Sequence, residues 1–215
     1  MKPVSCLVGL SVGLAVLAAV RPAAAAPAFG FRGGMTIARQ TGNDAIVRKS
    51  RTAFDGGGFV SFPLAPGWAI QPELLYVMKG GKLESQGTDE AGNPTAIQTA
   101  TYALDYLELP VLLRIGLPEL AGVRPALLVG PAVAVEVREQ FKDSGESHDV
   151  DIAKDTDAGV VLGLGLEGGR GRTRWLLDAR YELGILDLEH PTFGDGGVRN
   201  STFSISAGIG WSPVQ

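Results

Sequence analysis

Beyond its N-terminal segment, this chain alternates apolar and polar residues with a period of two. Near its C-terminal end Phe203, Ile205, Ala207, Ile209 and Trp211 alternate with Ser204, Ser206, Gly208 and Gly210. Period two sends the two sets to opposite faces of a strand. The same pattern predicts eight strands in all. They cover about Phe29 to Ala38, Ala53 to Leu64, Trp68 to Gly81, Thr101 to Ile115, Gly122 to Arg138, Thr156 to Glu167, Arg174 to Ile185 and Ser201 to Trp211. In the third, Trp68, Ile70, Leu74, Tyr76 and Met78 oppose Gln71, Glu73 and Lys79. In the fifth, Val123, Leu127, Val129, Val133, Val135 and Val137 oppose Arg124, Gly130, Glu136 and Arg138. Each segment reaches the about 9–11 residues with which a tilted strand crosses a membrane.

The connections alternate in length. Short pieces around Ala65–Gly67, Gly116–Ala121 and Gly168–Thr173 alternate with longer, polar ones at Arg39–Thr52, Lys82–Ala100, Glu139–Asp155 and Leu186–Asn200. Short turns at one end and long polar loops at the other are the pattern of outer-membrane barrels. An even strand count puts both termini at the short-turn, periplasmic end. A soluble lipocalin-like barrel or a sandwich also explains alternation, but it turns the apolar faces inward and needs no asymmetry of loops. Trp68, Trp175 and Trp211 sit beside the short turns, where an aromatic girdle belongs. The polar faces carry Arg32, Glu73, Glu108, Asp178, Arg180 and Glu182, which are costly in lipid and acceptable in a polar lumen. The predicted fold is an all-β, eight-stranded, antiparallel up-and-down transmembrane β-barrel.

The fourth strand breaks the simple pattern. Tyr102, Leu104 and Tyr106 share one parity, and Leu107, Leu109, Val111 and Leu113 share the other. Pro110 also removes a ladder donor. A bulge near Tyr106–Pro110 would reconcile both.

The N-terminus predicts export. Met1–Lys2 is followed by an uncharged apolar run from Val4 to Val20, then Arg21–Pro22 and four alanines, the layout of a secretory signal peptide. Residues 1–26 form this segment, with cleavage after Ala25, Ala26 or Ala28, and residues 27–215 form the barrel. Cys6 is the only cysteine, so the exported chain has no disulfide, thiol nucleophile or zinc–thiolate site. Without Lys2 and Arg21 it keeps 17 basic residues against 23 acidic, a net charge of −6, which argues against nucleic acid as a partner.

Candidate chemistry is sparse. His148 and His190, the only histidines, fall in predicted outer loops and lack metal-ligand spacing. Glu146, Ser147 and Asp149 flank His148, but adjacency in sequence does not set triad geometry. The acids Asp143, Glu146, Asp149, Asp151, Asp155 and Asp157 show no calcium-loop spacing and read as solvated charge. No catalytic residue, metal site or cofactor is predicted. The inward charges carry more information, because an eight-stranded barrel is only wide enough for its side chains to fill. Glu73 and Glu108 are expected to face each other across strands three and four. Arg180, beside Asp178 on the opposite wall and two residues before Glu182, is expected to reach across and pair with both carboxylates.

Four blocks carry a family resemblance. They are Gly30-Phe31-Arg32-Gly33-Gly34-Met35; Gln71-Pro72-Glu73-Leu74-Leu75-Tyr76 with Lys79-Gly80; Tyr106-Leu107-Glu108-Leu109-Pro110-Val111-Leu112-Leu113; and Asp178-Ala179-Arg180-Tyr181-Glu182-Leu183-Gly184. In this order the chain resembles the PorT-type, porin-family outer membrane β-barrel domain. The resemblance implies an eight-stranded barrel of the Gram-negative outer membrane and little about activity. Such barrels commonly finish on an aromatic that the assembly machinery reads. Here Ser212-Pro213-Val214-Gln215 follows Trp211, so Phe203, Ile209 and Trp211 are the candidate assembly signal. The expected protein is a non-enzymatic outer-membrane barrel with a charge-plugged lumen. Its expected partners are membrane lipid, the barrel-assembly machinery and an unidentified extracellular or periplasmic molecule met through its loops. The rival readings are a narrow solute pore, a lipid-acting barrel enzyme and a soluble lipocalin-like barrel.

Overall fold

The computed structural model describes residues 26–41, 49–85, 98–143, 146–149, 156–185 and 199–213. The segment predicted as a signal peptide and most of the segments predicted as long loops, with Asp89, Asp151, Asp155, His190 and Asp195, lie outside the described residues. Among the described residues there are nine strands: β1 (Ala28–Thr41), β2 (Lys49–Ala65), β3 (Trp68–Ser85), β4 (Gln98–Gly116), β5 (Val123–Asp143), β6 (Glu146–Asp149), β7 (Thr156–Arg170), β8 (Thr173–Gly184) and β9 (Arg199–Trp211). Eight of them form a closed antiparallel barrel, each pairing with its neighbour in the chain; β5 pairs with β7, and β1 pairs with β9 to close the ring. The short β6 folds back on the last residues of β5, within the segment expected to be loop. Several strands also outrun their predicted ends on the long-loop side. An apolar face marks a strand only where lipid covers it, so ladders continuing into solvent leave no alternation to detect.

The barrel is inside out relative to a soluble one. Phe31 and Leu164 are each 63% exposed on its outer surface, and Phe54, Leu74, Leu162, Leu177 and Ile205 also face outward. Covering one such side chain is worth about 1.5–3 kcal/mol, so this belt belongs in lipid. On the outer face of β3, Trp68 to Met78 covers ten residue steps, about 33 Å of strand, and at a tilt of about 40° that spans about 25 Å, the height of such a belt. Trp68, Trp175 and Trp211 mark its short-turn rim. At the closing seam Trp211 packs against Phe29 at a tilt and against Phe31 edge-on, with ring centroids 6.0 and 6.4 Å apart. Towards the loop rim the Tyr76 hydroxyl donates to Asp105 at 2.7 Å.

The fourth strand needs no bulge of its own. From Ser85↔Gln98 to Trp68↔Ile115 it keeps one register with β3. Tyr106, Glu108, Pro110, Leu112 and Arg114 all point inward, and Leu107 and Leu109 point outward. The register step lies between Asp105↔Arg138 and Tyr106↔Glu136, so the extra residue, Val137, belongs to β5. Leu104 and Tyr106 are therefore not a misplaced lipid face: with Ala134 they form an apolar cluster inside the barrel. Pro110 is accommodated by a gap in the ladder between Pro72↔Val111 and Leu75↔Glu108, where no donor is needed.

Candidate functional site in the barrel lumen

Because the strands turn their polar parity inward, charged side chains from six strands, β1 to β4, β7 and β8, converge in a narrow lumen. Near mid-barrel they form one chain of alternating sign. Arg32 of β1 pairs with Asp55 of β2 at 3.3 Å and with Glu73 of β3 at 2.9 Å. Arg180 of β8 grips the same Glu73 with both ends of its fork, at 2.7 and 2.8 Å, and also holds Asp178 at 2.8 Å. Asp178 passes the chain to Arg114 of β4 at 3.3 Å, and Arg114 to Glu167 of β7 at 3.5 Å. Glu167 ends it on Arg174 of β8 at 2.5 Å, at the short-turn mouth.

Glu73 is saturated. Its two oxygens accept from Arg32, from both Arg180 nitrogens and from Gln71 Nε2 at 2.8 Å, which uses the about four lone-pair sites of a carboxylate. Ser206 accepts from the Arg32 fork as well. Such charge-assisted, bidentate bonds are the geometry in which a buried ion pair offsets its desolvation. The close approach of Arg114 and Asp178 requires glycine at position 165: a Cβ there would lie 2.6 Å from Asp178 Oδ1 and 2.9 Å from Arg114 Nη2.

A second group lies towards the loops. Lys79 of β3, fully buried, pairs with Glu108 at 3.0 Å and with Glu182 at 3.1 and 3.2 Å. Its ammonium sits 5.3 Å from the centre of the Tyr106 ring. Asp157, 1% exposed, adds a third carboxylate within electrostatic reach of this ammonium. Between the two groups a gap of about 20 Å³ remains, bordered by Arg32, Asp55, Glu108, Arg180 and Glu182. That is room for about one water molecule.

Sequence reasoning expected Glu73, Glu108 and Arg180 to share one triad. The lumen divides them instead. Glu73, Asp178 and Arg180 meet, whereas Glu108 and Glu182 gather on Lys79. Opposite Glu73 on β4 stands Pro110, with Glu108 one diagonal step away, so each carboxylate has its own cation. Arg32 was expected to face the lumen but not to join the pairing cluster; Lys79, Asp55, Arg114 and Glu167 were missed as members, although each occupies the polar parity of its strand. Asp157, grouped with the loop acids, is a lumen residue. Phe203, Ile209 and Trp211 line the outer face of β9 beside the closing seam. His148 lies in β6, where only the backbone is described. Among the described residues no three His, Cys, Asp or Glu side chains are grouped to hold a metal ion.

The family model for the outer membrane protein beta-barrel domain matches residues 23–189. The chain belongs to this family. It is an outer-membrane protein, and its apolar belt faces the lipid. Among solved structures it is similar to Ail, the attachment invasion locus protein of Yersinia pestis, at 14% identity and a TM-score of 0.45, covering 86% of this chain and 99% of that one. It is similar to Neisserial surface protein A at 12% identity and a TM-score of 0.49, with the same coverage. It is also similar to the outer membrane protein OprG of Pseudomonas aeruginosa, at 10% identity and a TM-score of 0.46, covering 89% and 98%. No curated protein matches the chain.

Proposed function

We propose that this protein is a non-enzymatic barrel with a sealed lumen, which acts as a structural and contact element through the loops at its long-loop end. The observation that carries this reading is the occupied lumen. Eight alternating charges, from Asp55 to Arg174, run across it and down to one mouth, and the gap above them holds about one water. With the lumen of the described residues filled in this way, the surfaces left for function in this reading are the outer loops and the short-turn mouth. A narrow solute pore would need this chain to open. In this reading Met1–Ala26 is removed on export, the short turns face the periplasm, and the finer relationship is to PorT-type barrels. The assembly machinery would meet the β9 aromatics Phe203 and Trp211 beside the β1–β9 seam.

The orientation is testable on intact cells. Single cysteines at Asp89, Ser147 and Asp195 should react with an impermeant thiol reagent from outside, and one at Pro66 should not. Labelling at Pro66 alone would invert the barrel and remove the loops as its contact surface.

A further inference from the structure

The short-turn mouth of the barrel opens into a cavity of about 780 Å³. This is the size of a small-molecule site. Its lining is unlike the rest of this acidic chain: among the described residues, four arginines, Arg114, Arg124, Arg172 and Arg174, face one acid, Glu167. Trp68, Pro66 and Pro213 supply apolar wall. Arg114 is 95% buried, and its hold on its partners is loose. The contacts to Asp178 and Glu167 are 3.3 and 3.5 Å, and its Nη2 has no hydrogen-bond partner. Arg174 and Arg124 are about half exposed; Arg174 is held by Glu167 at 2.5 Å, and Arg124 pairs at 3.5 Å with Glu119, an exposed acid outside the cavity lining. A guanidinium fork donates to an oxyanion through two oxygens at a time, and several forks in one concave wall favour a ligand bearing more than one such group.

We propose that this mouth binds small multivalent oxyanions, carboxylates or phosphates, with Glu167 as the built-in competitor. Glu167 bridges Arg114 and Arg174, the position an incoming carboxylate or phosphate takes. Binding draws the two arginines from Glu167 to the ligand. A lumen of balanced ion pairs makes no such demand for an arginine-rich rim, since Arg124 and Arg172 serve no lumen carboxylate among the described residues.

The test is calorimetric titration of the full-length protein in phosphatidylcholine nanodiscs with citrate, inorganic phosphate and a neutral sugar. Saturable binding of citrate, weaker binding of phosphate and none of the sugar are expected. The double variant Arg172→Gln/Arg174→Gln should bind citrate at least tenfold more weakly. Glu167→Gln should bind it severalfold more tightly, a gain that general damage to the barrel does not produce. All variants are first checked for the heat-modifiable gel mobility of a folded barrel. Loss of citrate binding in phosphatidylglycerol discs alone would place a lipid headgroup phosphate in the same site. No saturable heat in phosphatidylcholine discs, or equal affinity in the double arginine variant, would overturn the proposal.

Discussion

Lys79→Met should destabilise the barrel by about 3–5 kcal/mol, the usual result of removing one partner of a buried ion pair. The change is nearly isosteric, so the loss is electrostatic rather than a cavity effect. Glu108 and Glu182 share this ammonium, and Asp157 stands within its reach. Without it three carboxylates face one another in a space that admits about one water. The readout is the temperature at which the folded, fast-migrating gel band converts to the unfolded one. Glu108→Gln and Glu182→Gln added to Lys79→Met should recover part of the loss, because the repulsion goes with the charges. An unchanged transition in the single variant would mean that the loop-side group is hydrated and not a packed element of the lumen.

Arg180→Leu should have an effect of the same order, about 3–5 kcal/mol, through a different carboxylate. Arg180 supplies two of the bonds to Glu73 and one to Asp178. Arg32 and Gln71 still hold Glu73 in the variant, which keeps the loss near the lower end of the range. Glu73→Gln combined with Arg180→Leu should cost less than the sum of the two, since groups that touch do not act additively. Glu108→Gln combined with Arg180→Leu should show far weaker coupling, because Glu108 answers to Lys79. Strong coupling in the second pair would restore the triad expected from the sequence and contradict the divided lumen.

Most of the fold was legible because its determinant has the simplest periodicity available. Lipid on one side and a polar lumen on the other impose alternation along every strand, and Phe203 to Trp211 show it without interruption. Legibility ended where that constraint ends. β6 and the loop-side ends of β3 and β5 lie beyond the apolar belt, so nothing in their composition distinguishes ladder from loop. In β4, Leu104 and Tyr106 are apolar and face inward, a choice that hydrophobicity alone misreads as a change of parity. Part of the lumen site was legible: Glu73, Glu108, Asp178, Arg180 and Glu182 were expected in it, and the missed members sit on the polar parity of their strands as well. Their partnerships were not legible. Pairing depends on the stagger between strands, and that stagger places Pro110 rather than Glu108 opposite Glu73. Lys79 shows the same limit from the other side. Its parity was evident, but only the closed barrel brings Glu182 of β8 within 3.1 Å of it.

The sealed lumen is tested most directly by electrical recording on the purified protein in a planar bilayer. The ion-pair chain predicts a silent bilayer, with no stepwise conductance above that of lipid alone at moderate voltage. Regular single-channel steps from the wild-type protein would contradict it, and would make the chain from Asp55 to Arg174 the wall of a path rather than its closure.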